Sequence, residues 1–156
     1  PFCGDWSAQV VNSVQKAGAN VHTGGTLISI EGPRFSTKAE SQIFRSWGLS
    51  IIGMTASPEA FLAREAEICY ATMAHVTDYD VWHVSMEPVS VDMVIKTLNK
   101  NTAIAQEAIR FLAENLQAET KCSCQHALAS ALITHREIIP QETREKLHPL
   151  IGKYIT

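Results

Sequence analysis

Thr77-Asp78-Tyr79-Asp80 places two carboxylates where an apolar run ends. The run covers residues 68–76, from Ile68 to Val76, and reads as a buried strand. Burial disfavours the charged form of a carboxylate, and acid/base chemistry draws on groups in such places. The plain alternative is that Asp78 or Asp80 caps the next turn.

Two other polar loops could act with this one. Thr55 offers a hydroxyl just before a helix start, where free N–H groups and the helix dipole attract an anion. A phosphate or a sugar hydroxyl would suit it; the alternative is a loop hydroxyl beside the real cap, Ser57. Met54 adds an adaptable apolar surface. Phe35 follows a proline-containing break and is either a stacking surface for a flat ligand or a core residue. The histidines show no ligand spacing, and no Ser-His-Asp or Cys-His arrangement stands out. Neither a P-loop nor a dinucleotide fingerprint is present.

The elements that must position these loops alternate. Residues 5–16 read as a helix capped by Asp5 and ended by Gly18. Residues 26–30 read as a strand broken by Glu31-Gly32-Pro33, and 36–47 as a helix. A short strand over 49–52 leads to the loop at 53–56. Ser57-Pro58-Glu59 then opens a helix to about residue 67. After the strand at 68–76 come a polar loop at 81–88, a long helix over 90–116, a helix at 125–133 and a short one at 140–147. The class is therefore α/β. In open α/β sheets ligands sit beyond the strand ends, and the loops at 31–36, 53–55 and 77–80 could all reach one side.

The chain has 156 residues, 46% hydrophobic and 19% charged, with net charge −3. That suits one domain or part of one. No basic stripe indicates nucleic acid, and no run approaches the ~20 apolar residues of a membrane helix. No signal-peptide pattern opens the chain, so the expected location is the cytoplasm. The first residue is Pro1, as methionine removal, cleavage or a split parent would each produce. The cysteines are Cys3, Cys69, Cys122 and Cys124. Cys122-Ser123-Cys124 fits zinc-ligand spacings poorly, so no metal is expected. Cys69 reads as a small core residue, while a disulfide using Cys122 or Cys124 stays open.

Glu31-Gly32-Pro33-Arg34-Phe35-Ser36, Met54-Thr55, Pro58-Glu59, Thr77-Asp78-Tyr79-Asp80-Val81-Trp82 and Val89-Ser90-Val91-Asp92 together resemble the methylthioadenosine phosphorylases. These belong to the trimeric branch of the purine nucleoside phosphorylases. The resemblance covers most of the chain, at least residues 1–116. It implies a mixed sheet flanked by helices, with residues 1–156 forming the C-terminal part of a single domain. The N-terminal half, which carries most of the phosphate site, would be a separate or cleaved chain, and the assembly a homotrimer.

The activity implied is phosphorolysis of 5′-methylthioadenosine to adenine and 5-methylthioribose 1-phosphate, a step in purine and methionine salvage. Inorganic phosphate is the co-substrate, and no cofactor is implied. By the same resemblance Asp78 contacts N7 of the base as general acid, and Asp80 accepts from its exocyclic amine. Phe35 packs on the purine, with Ser36 and Ile52 also in the nucleoside site. Met54 lies under the ribose and Thr55 binds phosphate. Val91, Val94 and Ile95 line the methylthio pocket, although their helical spacing alone would make them ordinary core. The 6-oxopurine enzymes have Asn where this chain has Asp78 and Glu where it has Ser36, which favours adenine here. The alternatives are a broader or 6-oxopurine nucleoside phosphorylase and a non-catalytic nucleoside-binding fragment. The tail from Cys122 is similar to tails in which the C-x-C forms an adjacent disulfide, and Cys3 and Cys69 are implied to face each other.

Overall fold

A computed structural model describes residues 1–82, 90–117 and 121–155. The expected polar loop at 81–88, and Val89 of the resemblance, fall largely or wholly outside those residues. The order is α1 (Gly4–Lys16), β1 (Leu27–Ser29), α2 (Lys38–Ser46), β2 (Ile51–Gly53), α3 (Ala56–Glu65), α4 (Val91–Glu114) and α5 (Gln141–Ile155).

β1 and β2 pair in parallel, with Leu27 opposite Ile51 and Ser29 opposite Gly53. Among the described residues this pair is the whole sheet. A parallel pair needs a crossover, and α2 supplies it. Thr37 caps α2 by accepting from the Glu40 N–H, while the Glu40 carboxylate returns to the Thr37 N–H. In α3, Ser57 has the extended backbone of a cap (φ −110°, ψ 131°), so the regular helix opens at Pro58, as the Ser-Pro-Glu signal predicts. Asp5 does not cap α1. Cys3 holds that position, and Asp5 instead accepts from the Lys121 N–H at 3.1 Å, binding the tail to the helix.

α4 lies against α1. Its buried residues are Ala105 and Ala108, three apart on one face, which lets the two backbones approach closely. Gln9 and Gln117 exchange hydrogen bonds at the far end of this contact.

Residues 68–76 do not form a paired strand. The alternation expected of one is nevertheless there: Ala71, Met73, His75 and Thr77 are half-buried, and Thr72, Ala74, Val76 and Asp78 exposed. The segment is held by the Cys3 N–H on the Tyr70 carbonyl (2.7 Å), by stacking of Phe2 on Tyr70, and by Asn101 of α4 on the Val76 carbonyl (3.1 Å). Ile68 and Val76 are each 59% exposed, so this segment presents apolar surface outward.

The helix expected at 125–133 is absent; a 3₁₀ turn, Cys124–His126, and further turns replace it. The Leu128 N–H, which would continue an α-helical ladder, donates to the Glu67 carboxylate at 3.0 Å instead. In contrast, α5 runs eight residues past its expected end at 147 and straight through Pro149. Ile151, Gly152 and Ile155 are buried there, and both Lys153 and Tyr154 reach Glu67. Tertiary anchoring outweighs the missing proline donor.

Burial pushes the Glu67 carboxyl up, but Lys153, the Tyr154 hydroxyl and the Leu128 N–H together outweigh it and hold the group at about 2. The ordinary value is 4.5. The unfolded chain therefore takes up protons first, and this contribution to stability is whole above the ordinary value and lost as pH falls toward 2. Tm measured against pH should drop across that window, and Glu67→Gln should flatten the drop. An equally steep acid limb in the variant would remove Glu67 as its source.

Candidate active site

The loop from β1 to α2 is clamped by one carboxylate. Both terminal guanidinium nitrogens of Arg34, Nη1 and Nη2, donate to Glu40 at 2.7 Å, a bidentate pair, and the Thr37 N–H and hydroxyl donate to the same group at 2.7 and 2.9 Å. The Arg34 bonds first, then those of Thr37, hold the Glu40 carboxyl at about 2, so it titrates in the same acid window as Glu67. Arg34 also donates to the Phe35 carbonyl at 3.1 Å. Between these anchors Ser36 is buried and Phe35 points outward, 69% exposed. A cavity of about 270 Å³ opens here, with Ile30, Gly32, Ser36 and Phe44 in its wall.

The second loop sits beside the first. The Ile30 N–H donates to the Gly53 carbonyl at 2.9 Å, continuing the strand pairing to the carboxyl ends of both strands. Gly32 lies against Met54: a Cβ on Gly32 would come within 2.6 Å of the Met54 sulfur. Ile52 and Met54 are partly exposed and Thr55 exposed. Thr55 precedes α3, and its side chain makes no capping bond. The hydroxyl stands at the helix start with Ser57 as the backbone cap, as the sequence alternatives had it.

The third loop is positioned by α2, which packs on the 3₁₀ turn Asp80–Trp82. Asp78 accepts from the Thr77 hydroxyl at 2.6 Å and from the Asp80 N–H at 2.8 Å. The capping alternative is thus realised: Asp78 closes an Asx turn. The same two donors fix the orientation of its carboxylate, which remains exposed. Asp80 adopts a left-handed backbone (φ 58°) and is half-buried, and its Oδ2 is buried without a hydrogen-bond partner among the described residues. A buried acceptor of this kind calls for a donor from elsewhere.

Val91, Val94 and Ile95 fall at helical spacing in the first two turns of α4, after the Ser90 cap. Val91 and Ile95 are exposed and Val94 half-buried. They are not core of the described chain. The structure therefore brings the loop of Phe35 and Ser36 and the loop of Ile52, Met54 and Thr55 together at the strand ends, and the turn carrying Asp78 and Asp80 is joined to them only by way of α2 among the described contacts. Sequence reading gave no role to Arg34 and Glu40, which fix this arrangement. The Thr37–Glu40 capping spacing was the signal that could have shown half of it.

The cysteines follow their sequence reading in part: Cys3 and Cys69 face each other as the resemblance implies, whereas no disulfide joins Cys122 to Cys124. All four are thiols, and their sulfurs come within 4.8 Å of one another. Burial pushes the Cys124 thiol up, with Cys122 and Cys3 adding to the shift.

Parallel strands joined by a helical crossover, with polar loops at their carboxyl ends, define an α/β class, and a sequence profile agrees with it. The phosphorylase superfamily matches residues 1–114, and the chain belongs to that family. Within it, the chain is 51% identical over 155 residues to the S-methyl-5′-thioadenosine phosphorylase of Geobacter sulfurreducens, covering 99% of this chain and 54% of the relative. A crystal structure of a methylthioadenosine phosphorylase from an Antarctic soil metagenome superposes with a TM-score of 0.85 at 40% identity, over 96% of this chain and 54% of that one. The Schistosoma mansoni methylthioadenosine phosphorylase in complex with adenine gives 0.71 at 32%, over 83% and 51%. The chain thus spans about half the length of these relatives. Among the described residues no helix is long and apolar enough to cross a membrane.

Proposed function

We propose that this chain forms the base- and ribose-facing part of a phosphorylase acting on 5′-methylthioadenosine. Phosphate attacks the anomeric carbon, the glycosidic bond breaks, and adenine leaves with a proton. The observation that carries this reading is the Asp78–Asp80 pair, one carboxylate oriented by two donors and the other holding a buried oxygen with no partner among the described residues.

In the complex Asp78 delivers the proton to N7 as charge builds on the departing base. The bound purine and the protein around it supply the desolvation that the exposed Asp78 lacks in the described chain. Asp80 accepts from the exocyclic amine through its free oxygen; a 6-oxo group would put acceptor against acceptor. Phe35 covers the purine, with Ser36 and Ile52 beside it. Met54 forms the floor under the ribose, and Thr55 holds phosphate at the start of α3. The stripe Val91, Val94 and Ile95 faces the methylthio group once the rest of the site is assembled. Phosphate is the only co-substrate this scheme requires.

A partner segment equivalent to the N-terminal half of the relatives completes the unit. It would pair with residues 68–76 and cover Ile68 and Val76, which lie open here. The assembly is a homotrimer located in the cytoplasm.

The test is phosphate-dependent release of free base by the assembled protein, with methylthioadenosine and inosine run side by side. Adenine release with little inosine turnover supports the proposal. Inosine preference would instead make this a 6-oxopurine enzyme and remove the roles given to Asp78 and Ser36. Binding of methylthioadenosine without turnover of either substrate would leave a non-catalytic nucleoside-binding unit.

A further inference from the structure

Four cysteines from three distant stretches of the chain meet at one point. Cys3 precedes α1, Cys69 lies in the extended segment that leads to Asp78, and Cys122 and Cys124 come from the tail. Their sulfurs are mutually within 4.8 Å, and those of Cys69 and Cys122 are 3.4 Å apart. Cys3 and Cys124 are buried, and Cys69 and Cys122 half-buried. Two separate disulfides would need only two close pairs. Here every sulfur is near every other, which is the requirement of a shared central atom.

The dimensions suit one ion. A tetrahedral zinc–sulfur bond of about 2.3 Å sets sulfur–sulfur edges of about 3.8 Å. Sulfurs already within 4.8 Å reach that figure by small side-chain rotations. Four thiolates around a divalent ion leave a net charge of −2, and such sites are steadied by N–H donors to sulfur. The Arg64 guanidinium already lies 3.7 Å from the Cys124 sulfur. An open cavity of about 410 Å³, bordered by Arg64, Ser123, Cys3, Cys122 and Cys124, gives an ion access.

We propose that Cys3, Cys69, Cys122 and Cys124 bind one zinc ion as a closed tetrathiolate. It would staple the start of α1, the segment carrying Asp78 and the C-terminal tail. Binding replaces four S–H bonds with four Zn–S bonds and releases four protons to solvent, with no change of oxidation state. A closed four-sulfur shell leaves no position for substrate, so the ion is structural.

The test uses the assembled protein, purified with a thiol reductant and reconstituted with zinc. Elemental analysis should find about one zinc per chain, and X-ray absorption at the zinc edge should show four sulfur neighbours at about 2.3 Å. Cobalt in place of zinc should give the intense visible bands of a tetrahedral thiolate site. Cys69→Ser and Cys124→Ser should each lose most of the metal, whereas Arg64→Gln should keep the stoichiometry but surrender zinc faster to a chelator. Should the cysteine variants fail to fold, the absorption spectrum of the unaltered protein decides by itself. A zinc content far below one equivalent after reconstitution would overturn the proposal. So would nitrogen or oxygen neighbours at the metal, an iron chromophore as the native occupant, or disulfides among these cysteines in peptides mapped from freshly isolated protein.

Discussion

Asp78→Asn should lower kcat/KM for methylthioadenosine phosphorolysis by about 10²–10⁴-fold, the usual worth of a positioned general acid. That corresponds to about 3–5.5 kcal/mol of transition-state stabilisation. The substitution is nearly isosteric and keeps an oxygen to accept from the Asp80 N–H, so the Asx turn persists. What disappears is the transferable proton. An amide can donate a hydrogen bond to N7 but cannot protonate it as the glycosidic bond breaks. The loss should fall mainly on kcat, because the base still finds a hydrogen-bonding partner in the ground state. Inosine turnover should rise relative to methylthioadenosine turnover, since an Asn at this position resembles the 6-oxopurine enzymes. An Asn variant as active as the parent would remove Asp78 from proton transfer and reduce it to the turn residue that its hydrogen bonds already make it.

Those same carboxylates show what could be read before the structure. Asp78 and Asp80 were legible because a polar pair interrupts an apolar run, and local contrast of that kind survives in one dimension. The crossover from β1 through α2 to β2 was legible for a similar reason: caps, breakers and periodicity are local signals. The cysteine cluster was not. Cys3, Cys69 and Cys122 are separated by whole elements, and the C-x-C spacing taken alone argued against a metal. Long-range contacts such as the Cys3–Tyr70 backbone bond, the docking of the tail on Asp5 and the Leu128–Glu67 bond bring them together.

The tail failed in both directions for one physical reason. Glu67, itself in a left-handed backbone (φ 56°), collects Leu128, Lys153 and Tyr154 from far along the chain. It takes a donor from the helix that propensity favours at 125–133, and it secures the helix that Pro149 should have ended. Tertiary bonds of this kind override local preference without leaving a local trace. The strand at 68–76 is the opposite case. Its alternation is present in the fold, but pairing depends on a neighbour, and none lies among the described residues.

Gly32→Ala should cost about 1–2 kcal/mol of stability and, separately, about 10²-fold in activity. The first loss is backbone strain, because Gly32 has φ +69° and a Cβ is crowded there. The second comes from position. The new methyl would sit 2.6 Å from the Met54 sulfur, so Met54 must move. Met54 is flexible enough to yield, and its displacement therefore adds little to the stability loss. It is also the proposed floor of the ribose site, and a displacement of about 1 Å at a reacting centre is enough for a loss of that size. Gly48→Ala separates the two effects. Gly48 has φ +76° in the turn after α2, and a Cβ there meets nothing within 4 Å. It should lose the same 1–2 kcal/mol in chemical denaturation yet retain full turnover per folded molecule. Equal activity losses in the two variants would mean that strain alone is responsible. A Gly32→Ala protein of normal activity would mean that Met54 does not set the position of the sugar.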